Sequence, residues 1–453
     1  MSKHDQVPDE TTGLERRLQS NRLSRRDTLW LFSASVGASL LQGCARSPVT
    51  GERILVGMSQ ADERRVDASY SPHQFSQDLG AVQDSAVNDY VSEVGRKVQA
   101  GVQRKDMPYS YRVLNANYVN AYTFPAGAMG LTRGIVVDLR NEAELAALLG
   151  HELGHVNARH AAQREGMALV AGVALMGLAV ASRDSDWAPL IGLGAEIGAS
   201  ALLASYSRDD ERQADALGQQ YLVQAGYPAS GMVGLHQLLV SEQEREPSLL
   251  ETMFSSHPMS KERLESAKRA AETSYASSAG APAQRERFMD RTASLRKKKP
   301  TIEACQRGET ALSKKALVDA ERHFGDALRS TPDDYAALLR MSQTLQARGR
   351  LADARGYAEQ ARKVYPQEAQ AVKLGATLKL GLREPGAALA DLEAYDRMLP
   401  GDSGVGFLKG VAYEGMGRRA EAARLFNQVV AQSRDSAAGK YASTRLKAWG
   451  YLR

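Results

Sequence analysis

Small and polar positions beat regularly through the last third of the chain. Pro332, Pro366 and Pro400 stand 34 residues apart, as do Ala320, Ala354, Ala388 and Ala422, and the small residues Gly308, Ser342, Ala376 and Gly410. Small side chains let the two helices of a hairpin approach closely, and proline stops the second helix before the next begins. Paired helices are therefore predicted over roughly Thr301 to Ser436, with Ala437–Arg453 as a capping helix over the last apolar face. The stretch "LKLGLREPGAAL", with Pro385 inside it, predicts an irregular third pair.

The middle of the chain has a different pattern. Tyr109 to Leu139 is rich in strand formers broken by Pro125 and Gly127, which predicts strands joined by a turn. The segment "NEAELAALLGHELGHVNARHAAQ" reads as a helix with Asn141 as N-cap and Glu144 three residues on. "YSRDDERQADALG" (Tyr206 to Gly218) reads as another. Between them, the apolar runs within 166–182 and 187–205 fall short of the 18 or so residues that span a bilayer, and Glu196 interrupts the second. Two buried or amphipathic helices are expected there. The fold class is thus mainly α: a helical domain with a small β-sheet, followed by an α-solenoid.

The N-terminus reads as an address. A basic head containing Arg25 and Arg26, an apolar stretch from Leu29 to Leu41 and a small-residue region ending at Cys44 form the three-part pattern of an export signal. Residues 1–43 are read as that signal, 44–75 as a linker, 76–296 as the domain bearing the chemistry and 297–453 as the repeats. At 453 residues the chain can bury at least two cores. Its net charge of +5 is spread out, and the basic run Arg296–Pro300 reads as a solvated linker, so no nucleic-acid partner is expected. Two cysteines exclude a disulfide framework or a cysteine-rich zinc module. Cys305 reads as a buried small apolar residue.

The chemistry concentrates in "LLGHELGHVNARH". His151 and His155 are about 40° apart around a helix axis and can share one metal, whereas His160 is about 140° beyond His155 and cannot join them without a break in the helix. Glu152 completes H-E-x-x-H, in which two imidazoles hold zinc and the glutamate moves a proton. A catalytic zinc takes three protein ligands and one open position. Glu211 and Asp215 lie four apart on one helical face, so Glu211 is a candidate third ligand and Asp215 a candidate for orienting a ligand histidine. Spacing leaves Asp209 and Asp210 as rivals. His236 reads as a helix-face histidine without a metal role.

"LGHELGHVNARH" with "SRDDERQAD" resembles the gluzincin metalloproteases of the CAAX prenyl endopeptidase and HtpX type, and the 34-residue period resembles tetratricopeptide repeats. "LLQGC" resembles a lipobox, implying cleavage before Cys44 and its lipidation, and Ser24-Arg25-Arg26 resembles a twin-arginine export motif. The order of signal, protease and repeats resembles the periplasmic β-barrel assembly-enhancing proteases. These resemblances imply one zinc per chain on His151, His155 and Glu211, with Glu152 and Asp215 as catalytic residues. They also imply a substrate-binding edge strand at Asn120, Ala121 and Tyr122, paired with peptide by strand addition, and Arg263 as a charge partner at the substrate cleft. His257, before Pro258, is either an auxiliary or autoinhibitory metal ligand or a turn histidine. His160 is read as structural or as support behind a ligand.

The expectation is a lipid-anchored zinc endopeptidase on the periplasmic side of the outer membrane. It would act on misfolded or stalled envelope proteins, with the repeats recruiting substrates or the outer-membrane assembly machinery. The rival expectation is a mainly non-proteolytic chaperone or adaptor that works through its repeats, its zinc site latent.

Overall fold

The computed structural model describes residues 44–168, 205–245, 253 and 255–452. The expected signal peptide and most of both apolar stretches lie outside these residues. Among the described residues no helix is long and apolar enough to cross a membrane.

The described residues fall into two compact units. In the first, β1 (Cys44–Arg46) and β2 (Arg53–Leu55) form an antiparallel pair with Cys44 opposite Leu55. The Gly57 amide donates to the Ala162 carbonyl at 2.7 Å. Cys44 is exposed.

The second unit takes up residues 63–160 and everything described from 205 onward. The segment expected to be a linker is structured instead: α1 spans Gln60–Gln77. Apolar patterning is faint in α1 because its buried positions include Glu63 and Asp67, which are satisfied by polar partners. Asp67 accepts hydrogen bonds from the Ala126 and Ala128 amides at 2.8 and 2.9 Å, and Glu63 pairs with Arg104 and Arg159.

After α2 (Ser85–Gln99) come β3 (Ser110–Leu114), β4 (Ala121–Thr123) and β5 (Ala128–Thr132). They form one sheet in the order β3-β5-β4, β3 parallel and β4 antiparallel to β5. A short helix α3 (Arg133–Asp138) leads to α4 (Glu142–Ala158), buried along its whole length. Its N-cap Asn141 accepts from the Glu144 amide, as the sequence implies. Glu144 reaches back to the amide of Arg140 rather than to that of the cap.

Helix α5 (Arg208–Gln224) opens with a capping box between Ser207 and Asp210 and packs on α4 almost backbone to backbone. A Cβ on Gly154 would stand 2.8 Å from the Ala214 carbonyl oxygen, and one on Gly218 2.7 Å from the His151 nitrogen. Those glycines set how near the two helices come, and that spacing positions the site. Helices α6 (Ser230–Arg245), α7 (Lys261–Glu272), α8 (Arg285–Arg291) and α9 (Ala293–Arg296) complete this part.

The basic run is not a free linker. Arg296 donates to the Val137 and Leu139 carbonyls, Lys299 Nζ donates to Asp138 Oδ1 at 2.6 Å, and the chain passes directly into α10 (Lys299–Ser313). Helix pairs follow: α10 with α11 (Leu317–Ser330), α12 (Tyr335–Ala347) with α13 (Leu351–Val364), α14 (Ala369–Gly381) with α15 (Pro385–Met398), and α16 (Ser403–Gly415) with α17 (Arg419–Ser433).

The periodic positions have the packing roles their size dictates. Ala320, Ala354, Ala388 and Ala422 are fully buried. Gly308 and Gly410 leave room for the rings of Phe324 and Phe426, and each proline follows the end of a second helix. The expected irregularity at the third pair is absent. Pro385 occupies the first turn of α15, where a missing amide costs nothing, and that helix starts in phase with its neighbours. Finally α18 (Ala437–Ala448) caps the array, and Trp449 stacks on Phe426 at 6.0 Å between centroids. Cys305 is buried in α10.

Candidate metal centre

Helix α4 projects His151 and His155 to one side, their Nε2 atoms 3.1 Å apart. From α5, Glu211 arrives with Oε1 3.3 Å from His155 Nε2 and Oε2 3.6 Å from His151 Nε2. His257 joins from the loop before α7, its Nδ1 3.0 Å from Glu211 Oε1 and 3.3 Å from His151 Nε2. One ligand atom from each of these four buried side chains lies within 4.8 Å of all the others. The rival carboxylates are elsewhere: Asp209 is exposed and pairs with Arg212, and Asp210 is engaged in the capping box.

The donor set suits a divalent, borderline-soft cation, since neutral imidazole and carboxylate are zinc's ligands. Burial holds His155 well below the usual imidazole range, hence neutral, against the pull of Glu211. Burial also pushes Glu211 upward, but His257, His155 and His151 outweigh it and keep the carboxylate ionised.

Glu152 turns towards the same space. Both its oxygens are buried without a hydrogen-bond partner among the described residues, and His257 Nε2 is 3.8 Å from Oε1. Burial raises its proton affinity, which the nearby His257 and His151 only partly offset. An orphaned carboxylate costs free energy unless something outside the chain satisfies it, so the pocket is built for an occupant.

Asp215 lies behind His151, its Oδ1 2.9 Å from Nδ1. Burial pushes Asp215 up, but His236 and Arg263 outweigh that and hold it ionised. Arg263, expected as a charge partner at the substrate cleft, is buried and pairs with two carboxylates of the site. Its Nε and Nη2 donate to Asp215 at 2.6 and 2.7 Å, Nη1 donates to the Pro258 carbonyl, and the same Nη1 stands 2.6 Å from Glu211 Oε2. Two buried carboxylates demand a buried cation, and this demand commits the guanidinium. His236, read from the sequence as a helix-face histidine without a metal role, lies 3.3 Å from Asp215 Oδ1. Tyr206 stacks on His155 at 3.9 Å between centroids. Neither was legible in the sequence: His236 stands alone on α6, and Tyr206, just ahead of the helix that carries Glu211, has no spacing that marks it as a partner of His155.

The expected edge strand is β4. Asn120 and Thr132 pair through the Thr132 amide, and Phe124 donates to the Ala128 carbonyl. Antiparallel alternation then turns the backbone of Ala121 and Thr123 outward from the sheet. Tyr122 points elsewhere, its hydroxyl donating to Asp78 at 2.5 Å. Asn120 Oδ1 has no partner among the described residues. A cavity of about 100 Å³ lies between β4 and His257, lined by Gln74, Tyr118, Asn120, Tyr122, Tyr206 and His257 among others.

Residues 85–271 match the sequence profile of peptidase family M48, and residues 336–368 and 405–436 match a tetratricopeptide repeat profile. The chain is 26% identical over 212 residues to a beta-barrel assembly-enhancing protease of Yersinia pestis, covering 46% of this chain and 43% of that one. It is also 26% identical over 206 residues to the protease of that name in Escherichia coli (strain K12), covering 44% and 42%. To the metalloprotease YcaL of Escherichia coli (strain K12) it is 27% identical over 252 residues, 53% of this chain and 96% of that one. The match therefore spans less than half the length of either assembly-enhancing protease.

Proposed function

Since the chain carries a peptidase family M48 domain joined to tetratricopeptide repeats, we propose that it is a zinc metalloendopeptidase of the bacterial envelope. The observation that carries this reading is the convergence of Glu211 on the His151–His155 pair beside the orphaned Glu152. In it, His151, His155 and Glu211 hold one zinc ion. Zinc, when bound, supplies the Lewis acidity that polarises a scissile carbonyl and acidifies a water.

The remaining roles belong to the chain. Glu152, its proton affinity raised by burial, takes a proton from the attacking water and delivers it to the leaving amine. Asp215 fixes the His151 ring through Nδ1, leaving Nε2 for the metal. The outward backbone of β4 at Ala121 and Thr123 pairs with an extended peptide, and Asn120 and Tyr122 shape the adjoining cavity.

The substrates proposed are misfolded or stalled envelope proteins, in the assembly and quality control of outer-membrane β-barrels. The repeats recruit substrates or assembly partners. Export and lipidation at Cys44 would place the enzyme on the periplasmic side of the outer membrane. The mass of the envelope-extracted protein, native and Cys44→Ala, tests the anchor, and an unlipidated native protein would refute it. We further propose the division into a signal (1–43), a protease domain (76–296) and repeats (297–453).

One observation favours a second reading, an adaptor with a latent site: His257 Nδ1 is close enough to Glu211 and His151 to take a metal position itself. Casein cleavage and zinc content of the native chain, Glu152→Gln and His257→Ala separate the two. The enzyme reading requires cleavage by the native chain or by His257→Ala that Glu152→Gln lacks. Zinc bound with no such cleavage leaves the adaptor.

A further inference from the structure

The helix carrying the histidine pair does not run on to His160. It ends at Ala158, and Arg159 adopts a left-handed conformation with φ of 63°. A bulky residue there is strained, and such strain persists only where the surroundings over-determine it. Here they do, because Arg159 Nε donates to the buried Glu63 at 3.0 Å. The break brings His160 back onto His155, with the two Nδ1 atoms 2.9 Å apart. On its other side, His160 Nε2 lies 2.8 Å from Gln213 Oε1.

Two imidazole nitrogens at hydrogen-bonding distance need one proton between them, and the direction of this chain of bonds is set at its ends. If His155 presents Nε2 to a cation, that nitrogen bears no proton, so His155 Nδ1 bears one and donates to His160 Nδ1. His160 then carries its own proton on Nε2, and Gln213 must offer oxygen, as it does. Were the amide reversed, every donor would invert and His155 Nε2 would be protonated. His160 is buried, and Asp210 Oδ1 lies 3.6 Å from the same Nε2, so both neighbours there are acceptors that favour a proton on that nitrogen. His151 is supported by a carboxylate and His155 by an imidazole: the two supports differ in kind.

We propose that His160, with Gln213 behind it, is a positioning residue that locks His155 in the Nδ1–H tautomer and so presents Nε2 to the metal. The left-handed turn at Arg159 is the means of placing it. This inference rests on the reading of His155 as a zinc ligand.

Two substitutions separate hydrogen bonding from volume. His160→Leu fills the space but forms neither bond, while His160→Asn leaves space but offers an acceptor to His155 and a donor to Gln213. Zinc affinity is read by competition with a chelator, alongside thermal melts of the metal-free proteins. His160→Leu should bind zinc about 10–100-fold more weakly than the native chain, and His160→Asn should stay within about threefold. Equal affinity of His160→Leu and the native chain overturns the inference alone. Failure of the native chain to bind zinc overturns the metal site and this inference with it. If His160→Leu does not fold, Gln213→Ala decides beside His160→Asn. Weakened binding of the former with retention in the latter supports the relay, and unchanged binding of Gln213→Ala refutes it.

Discussion

Glu152 is the residue on which the proposed chemistry turns, and its surroundings explain why it is poised. A carboxylate with both oxygens buried and no partner among the described residues is destabilising unless water or substrate meets it. Glu152→Gln keeps the shape and removes the base. Activity on casein should fall by at least about 100-fold, with zinc content and melting temperature at or above native. A variant that still cleaves at near-native rate would remove Glu152 from the mechanism.

Asp67 poses a different question, of stability. Burial pushes its carboxyl up to about 6, against the hydrogen bonds from Ala126 and Ala128. Between the ordinary carboxyl value and about 6, the folded chain holds a proton that the unfolded chain has lost. Stability therefore declines as pH rises through that window, by about 3 kcal/mol for this group. Urea unfolding of the native chain and Asp67→Asn at several pH values checks this. The difference between them should move against the native chain from about pH 4 to about pH 6 and then level off.

At this scale spacing brings forward the His151–His155 pair with Glu152, and Glu211 with Asp215 as candidates beside Asp209 and Asp210; the choice of Glu211 among them came from the family resemblance. His236, Tyr206 and the buried commitment of Arg263 follow from three-dimensional closure. His160 was excluded as a ligand by helix geometry, yet it returns to His155 because the helix breaks.

The site exists because α4 and α5 lie unusually close. Gly154 faces Ala214 backbone atoms that cannot yield, so a methyl group there must separate the helices or distort them. Gly154→Ala should cost about 1–3 kcal/mol from overpacking and weaken zinc binding by drawing Glu211 off the histidines. Gly356, in the middle of α13, has nothing within 4 Å of its added Cβ. Gly356→Ala should therefore gain up to about 1 kcal/mol through helix propensity alone. Opposite signs for one substitution, read by urea denaturation, isolate the contact from the propensity; like signs would show that helix spacing is not set at Gly154.

Helices were legible from their caps and period: the helix over the histidines and the helix pairs; the strands showed only as strand formers around Pro125 and Gly127, and the edge strand only through resemblance. The expected linker failed because α1 is held by Glu63, Asp67 and their partners, and ion pairs leave no apolar stripe to read. Pro385 misled for another reason. Its effect depends on whether it falls in a helix interior or first turn, and only the boundary of α15 decides that.

Across the second unit, the repeats are not a tethered appendage of the helices that carry the site. Arg133 of α3, fully buried, donates through Nη1 and Nη2 to Asp334 at 2.7 and 2.9 Å, and Asp334 also caps α12 by accepting from the Ala337 amide. A second buried contact joins Ser76 of α1 and Tyr335 of α12 through Glu368. Burial alone would push Asp334 up, but Arg133 outweighs it and holds the carboxyl low. Its contribution is therefore present above the ordinary carboxyl range and is lost as pH falls below it.

Removing one partner of such a pair leaves a stranded charge, whereas replacing both with neutral groups largely does not. Asp334→Ala should cost about 3–5 kcal/mol for the stranded Arg133 and about 1 kcal/mol more for the lost cap. Arg133→Leu combined with Asp334→Asn keeps the cap and strands no charge, at the cost of the hydrogen bonds Arg133 donates to the buried Asn117 Oδ1, so it should recover part of that loss. Limited proteolysis at neutral pH gives the structural readout. Cutting around Arg296–Lys299 should be slow in the native chain and the double variant and fast in Asp334→Ala. If all three are cut alike, the pair does not hold the repeats to α3, and recruitment by the array cannot be transmitted to the cleft along this route.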